Sequence, residues 1–199
     1  MGLELEYIKG QTPIDEEEKE GLKIKTISTR GELNEFEQSN IEEAVEWSIR
    51  NKFSQDQILT VNFIKEVHNK MFLEIWDWAG TFRKSNKNIG VDKHQIYSQL
   101  ISLLDDCKFW INNNIYGDDE IAIRFKYRLV KIHPFPNGNG RHSRLCADIL
   151  ISHVFNKPVF TWGGENLTEH NENRDRYLGA LFKADEGIIE PLITFARSN

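Results

Sequence analysis

The stretch Ile121–Leu150, IAIRFKYRLVKIHPFPNGNGRHSRLCADIL, decides how the chain folds. Its opening part is apolar on nearly every side, with Ile121, Ile123, Phe125, Tyr127, Leu129, Val130 and Ile132, which is the pattern of a helix in the middle of a bundle. The pattern stops at His133, because Pro134 and Pro136 lack a backbone donor and restrict the residues before them. After Gly140 it resumes with Leu145, Cys146, Ile149, Leu150 and Val154, until Asn156 and Pro158. A rigid loop therefore joins two core helices.

Working outward, Leu33, Phe36, Ile41, Ala44, Val45 and Ile49 are spaced as an amphipathic helix, and Ile58, Val61, Phe63, Ile64, Val67 and Met71 predict a second. Ile96, Leu100, Leu103, Leu104, Cys107, Trp110 and Ile111 give a third that ends at Asn112–Asn114. Two more, around Asp175–Ala184 and Pro191–Arg197, complete an all-α bundle. Between Trp76 and Val91 the breakers Gly80, Asn86, Asn88 and Gly90 alternate with Thr81, Phe82, Ile89 and Val91, which predicts a short β-hairpin or extended flap. Residues 1–30 carry an acidic run, Asp15–Glu20, and the breakers Gly10, Pro13 and Gly21. They read as an irregular lead-in to a single domain over residues 31–199.

Composition narrows the function. The chain has 199 residues and a net charge of -6, which argues against the broad basic surface that nucleic-acid backbones require. Mean hydropathy is -0.53, and no apolar run approaches a membrane span, so a cytoplasmic protein is expected. Cys107 and Cys146 lack CxxC pairing and read as buried free thiols. His68, His94, His142, His153 and His170 show no zinc-ligand spacing. The scattered tryptophans read as packing residues.

The chemistry concentrates in HPFPNGNGRHSR, His133–Arg144. Gly138 and Gly140 have no Cβ, so the backbone there can take positive φ and turn successive N–H groups inward as an anion nest. The helix that starts at this point adds its own unpaired donors and dipole. Arg141 and Arg144, three apart on that helix, can both reach phosphate oxygens. His133, with an ordinary pKa of about 6.5, is placed to accept a hydroxyl proton.

This segment resembles the Fic signature HxFx(D/E)GNGRxxR and departs from it only at Asn137. WAGTFR (Trp78–Arg83) and KNIGV (Lys87–Val91) resemble the family's approach to its target-binding flap, and the likeness extends over residues 30–197. With TRGELNE (Thr29–Glu35), the asparagine spelling is similar to the subgroup named mobile mystery protein B, associated with mobile elements. The resemblance implies a Fic-fold helical bundle and a protein adenylyltransferase, which moves AMP from ATP to a Ser, Thr or Tyr hydroxyl and releases pyrophosphate. His133 would be the general base. Gly138, Asn139, Gly140, Arg141 and Arg144 would hold the phosphates, and Lys87, Asn88, Ile89 and Gly90 would form the target-binding flap. Mg²⁺ or Mn²⁺ would accompany ATP. At Asn137, a neutral carboxamide stands where the family places a metal-binding acid, which leaves open slower transfer, a different transferred group such as a phosphate, or nucleotide binding without turnover. The family's inhibitory pattern, (S/T)xxxE(G/N), has counterparts at Ser28–Glu32, Thr161–Asn166 and Thr168–Asn173. Glu32 is the first candidate, and an antitoxin-like partner would be the other source of inhibition.

Overall fold

The computed structural model describes residues 12–164, 167 and 171–199. Among them run nine α-helices: α1 (Glu16–Lys19), α2 (Arg30–Arg50), α3 (Gln55–Ile58), α4 (Val61–Phe72), α5 (Ile96–Asn112), α6 (Asp118–Ile132), α7 (Asn139–His153), α8 (Glu172–Asp185) and α9 (Glu190–Arg197). A 3₁₀ turn, Lys93–Gln95, leads into α5.

The two helices flanking the proline loop are the centre, as their all-round apolar character requires. Ile121, Ala122, Ile123, Phe125 and Leu129 of α6 are buried against Cys146, Ala147, Ile149, Leu150 and Ile151 of α7 and the surrounding core. α5 and α9 pack on α6, α4 packs on α7, α2 on α4, and α8 on α9. Both cysteines are buried free thiols. Among the described residues, no helix is long and apolar enough to cross a membrane.

Three local features depart from the sequence reading. The expected second helix is two, because both Ser54 and Thr60 act as N-caps: Ser54 Oγ accepts from Gln57 N at 3.4 Å, and Thr60 Oγ1 from Phe63 N at 3.1 Å. The helix therefore restarts at Val61 even though the apolar spacing runs through the break.

No β-hairpin forms between Trp76 and Val91. Among the described residues, the isolated bridge is Leu22 with Trp76. The flap's β-type residues have no strand beside them, and Arg83 replaces the ladder. Its guanidinium donates to the carbonyls of His133 (2.7 Å), Ser85 (2.8 Å) and Val91, which ties both legs of the flap to the loop after α6.

From Thr12 onward the lead-in is packed. Ile14, Leu22 and Ile27 join the main core, and Trp78 Nε1 donates to Glu18 O at 2.9 Å. Residues 1–11 of the lead-in lie outside the described residues.

Candidate active site

α6 ends at His133, which adopts left-handed backbone (φ 54°, ψ 60°) and donates its N–H to Leu129 O at 3.2 Å. For a residue with a Cβ this geometry costs about 1 kcal/mol, and the surrounding loop holds it there. Arg83 grips the carbonyl of His133, and Arg83 N donates to Pro134 O at 3.0 Å. Phe135 is fully buried and stacks on the His68 ring with centroids 3.8 Å apart.

The phosphate nest has a division of labour that the sequence did not reveal. Asn139 uses its side chain inside the loop: Oδ1 accepts from Phe135 N at 3.0 Å and Nδ2 donates to Phe135 O at 2.8 Å. Only Gly138 of the two expected positive-φ glycines takes that conformation (φ 76°), as the N-cap of α7, whereas Gly140 is helical. A helix's first turn supplies unpaired donors without positive φ, so one left-handed residue suffices to aim the chain. The first intrahelical bond of α7 is His142 N to Gly138 O, 2.9 Å. The N–H groups of Asn139, Gly140 and Arg141 thus have no intrahelical acceptor and remain available to an anion.

A cavity of about 310 Å³ opens in front of these donors. Such a volume falls in the range of small-molecule sites. His133 lines it together with Gly138, Asn139, Gly140, Arg141 and Arg144, and α8 supplies an apolar wall from Tyr177, Leu178 and Leu181. Arg30, Lys131 and Arg174 bring further positive charge, and among the described residues Asp185 is the one acid that faces them. That carboxylate is already engaged by Tyr127 Oη (2.6 Å) and Lys131 Nζ (2.9 Å). A chain of net charge -6 has concentrated cations around one concavity.

The two signature arginines are held differently. Arg141 Nη2 lies 2.6 Å from Glu37 Oε2, and the other oxygen of Glu37 accepts from Trp76 Nε1 at 2.8 Å. Arg144 lies over the Tyr177 ring, 5.7 Å from its centroid, and the Tyr177 hydroxyl meets the buried Lys126.

Burial pushes the His133 imidazole down to about 4; the Val130 carbonyl opposes this, and the nearby charge of Arg83 adds to it. The ring is neutral near pH 7 and able to accept a proton. Its Nε2 lies 3.0 Å from Thr12 Oγ1. His68 is also held neutral by burial, with its pKa well below the usual value. Gly80 N donates to its Nδ1 at 2.9 Å, so the ring proton sits on Nε2 and is donated to Asn137 O at 3.1 Å. His68 thereby fastens the WAG turn to the loop.

Asn137 does not fit the role of a metal anchor. Its Oδ1 accepts from Gly138 N at 2.7 Å and its Nδ2 donates to Thr12 O at 3.1 Å, so both ends of the amide are committed within the protein. Among the described residues, no group of three or more His, Cys, Asp or Glu side chains is arranged to hold a metal ion.

Of the flap residues, Ile89 and Gly90 reach the cavity. Gly90 (φ 104°) passes so close to His133 that a Cβ would stand 2.7 Å from the histidine's own. Asn88 is exposed. Lys87 turns away from solvent to pair with Asp15 (2.8 Å) and Glu18 (2.5 Å) of the lead-in.

Glu32 does not reach the signature arginines. Its carboxylate accepts from Ser28 N (2.9 Å) and Thr29 N (3.1 Å), closing a capping box at the start of α2. Thr29-x-x-Glu32 spells that box in the sequence. The acid that meets an arginine is Glu37, farther along the same helix. Of the other two inhibitory patterns, the glutamate of the first, Glu165, lies outside the described residues, and that of the second, Glu172, is exposed at the start of α8. Thr12, Glu37 and His68 carry no local sequence signal for the site, since their contacts span 121, 104 and 69 positions.

Residues 58–151 match the family model described as the Fic/DOC family. The chain is 27% identical over 146 residues to a protein adenylyltransferase Fic of Aedes aegypti, covering 71% of this chain and 28% of that protein. It therefore spans just over a quarter of the length of that curated relative. A Fic domain containing signalling protein of Bacteroides thetaiotaomicron superposes with a TM-score of 0.64 at 20% identity, covering 80% of this chain and 66% of that one. The BepC protein of Bartonella tribocorum, solved with bound AMPPNP, superposes with a TM-score of 0.68 at 18% identity over 96% and 93% of the two chains. The proline loop and the helices around it are thus those of a known fold, and residues 58–151 match the Fic/DOC family.

Proposed function

We propose that this protein binds ATP in the basic cavity and transfers AMP to a hydroxyl of a protein substrate. The observation that carries the reading is that one cavity is lined both by a neutral, buried histidine and by an anion nest with two arginines. Donors placed at the first turn of α7 and at Arg141 and Arg144 suit the charge that develops on a leaving pyrophosphate. His133 takes the proton of the attacking hydroxyl, a role worth typically ~10²–10⁴ in rate. The apolar face of Tyr177, Leu178 and Leu181 offers a surface for the nucleoside. The names of the insect relatives and the bound AMPPNP of the Bartonella protein support the same assignment.

No step is assigned to a protein-held metal, because Asn137 offers only a neutral oxygen already bonded to Gly138. That same commitment favours one alternative, a module that binds nucleotide without turning it over. Incubation with α-labelled ATP, Mg²⁺ and a cell lysate separates the two. Label on protein that disappears in His133→Ala supports transfer; ATP binding with no labelled protein selects the alternative. Label from γ-labelled ATP instead would select phosphotransfer.

A further inference from the structure

The lead-in reaches the cavity at Thr12 and is tied down beside it on several sides. Thr12 O accepts from Asn137 Nδ2 (3.1 Å), Ser85 Oγ donates to Asp15 Oδ2 (2.6 Å), and Lys87 Nζ meets Pro13 O (3.3 Å), Asp15 and Glu18. The Lys87 side chain is only 2% exposed. These contacts join the lead-in to the flap and to the loop after α6, the two elements between which an acceptor must come. What they deliver to that point is a hydroxyl. Thr12 is buried, lines the cavity with Gly138–Arg141 and Arg144, and places Oγ1 3.0 Å from His133 Nε2. With the ring proton on Nδ1, Nε2 accepts from Thr12 Oγ1.

We propose that Thr12 is an acceptor site for the protein's own nucleotidyl transfer, modified within the same chain through the contact between its hydroxyl and His133. The proposal rests on the AMP-transfer reading above. In the step, Thr12 Oγ1 forms a bond to the α-phosphorus of ATP while the bond from that phosphorus to the bridging oxygen of the β-phosphate breaks. The hydroxyl proton passes to His133 Nε2, and pyrophosphate leaves with the bonding pair. The product is a phosphodiester joining Thr12 to AMP. Holding the hydroxyl beside its base removes the cost of bringing an acceptor from solution, so the reaction is first order in the chain.

The test incubates the purified full chain with α-labelled ATP and Mg²⁺, with and without lysate, and maps label by mass spectrometry of the peptide that contains Thr12. The expected result is one AMP on Thr12, formed at a rate unchanged by dilution. It should be retained in Thr12→Ser and lost in both Thr12→Val, which keeps the shape without the hydroxyl, and His133→Ala. Label on a lysate protein with none on Thr12 overturns this proposal and leaves the proposed function standing. Label on another residue of the chain, or a rate that falls on dilution, overturns it as well. If no protein is labelled in any arm while ATP binds, the AMP-transfer reading fails and takes this proposal with it.

Discussion

Replacing Gly138 by alanine tests whether the nest depends on the geometry described. Two costs add. Gly138 sits at φ 76°, where a residue with a Cβ pays about 1 kcal/mol. The added Cβ would stand 2.4 Å from Phe72 Cζ and 2.6 Å from Cε2, and Phe72 is buried in the core at 1% exposure. Overpacking of this kind costs about 1–3 kcal/mol. Gly138→Ala should therefore lose about 2–4 kcal/mol, a large share of the roughly 5–15 kcal/mol that holds a domain together. The second cost is removable, because Phe72→Leu deletes the ring atoms that collide. On its own that large-to-small change should cost about 1–3 kcal/mol, some of it from the Arg141 guanidinium that lies over the ring at 5.1 Å. Urea denaturation of wild type, both single variants and the double variant gives the coupling. The double variant should be more stable than the sum of the singles by at least about 1 kcal/mol. A Gly138→Ala protein within about 0.5 kcal/mol of wild type, or a cycle with no coupling, would refute the close approach of the loop to α4.

Glu37→Gln keeps an acceptor for Trp76 Nε1 but strips Arg141 of its counter-charge. With both side chains largely buried, denaturation should show a loss of about 2–3 kcal/mol, short of the full cost of an unpaired buried charge; no loss would mean Arg141 is effectively solvated. Asn137→Asp places a charged oxygen beside the nest and should raise Mg²⁺-dependent label transfer about tenfold, the worth of one charge-assisted contact. An unchanged or lower rate would show that metal anchoring is not limiting. Burial holds His133 at about 4, so its ring resonances should not titrate between about pH 8 and 5.5, and transfer should fall only as pH approaches 4; a midpoint near 6.5 in either would contradict the burial argument. Because the folded pKa lies below the unfolded one, the stability associated with His133, about 3 kcal/mol, is intact above about pH 6.5 and lost as pH falls towards 4. Asp148, pushed up to about 7 by burial, works in the opposite sense over the same window. The pH slope is therefore read as the difference between wild type and His133→Ala.

The helices that carry the site were legible because their sequence signals are local. α5, α6 and α7 follow apolar spacing to within a few residues, and the proline pair marks the loop between the last two. Features set by distant partners were not legible. Thr81, Phe82, Ile89 and Val91 have strand chemistry, but a strand needs a neighbour, and the side chain of Arg83 organises the flap in its place. The lead-in has no periodicity because one short helix and long-range hydrogen bonds position it, such as the pairing of Thr12 with His133. Glu32 carries letters that two functions share: a regulatory pattern and a capping box have the same acid near a helix start, and in this structure the backbone donors of Ser28 and Thr29 hold it. The chemical roles of Gly138, Arg141 and Arg144 could be argued from spacing, whereas the anchoring of Arg141 by Glu37 required the packing of α2 near α7.

The most direct measurement of the central claim is transfer of label from α-labelled ATP to protein by wild type and by His133→Ala, with ATP affinity measured on both. Label should appear on protein with wild type and fall by ~10² or more in the variant, while the phosphate cradle, built by α7, binds ATP in both. Equal labelling by the two proteins, or labelling from the γ-phosphate alone, would contradict it.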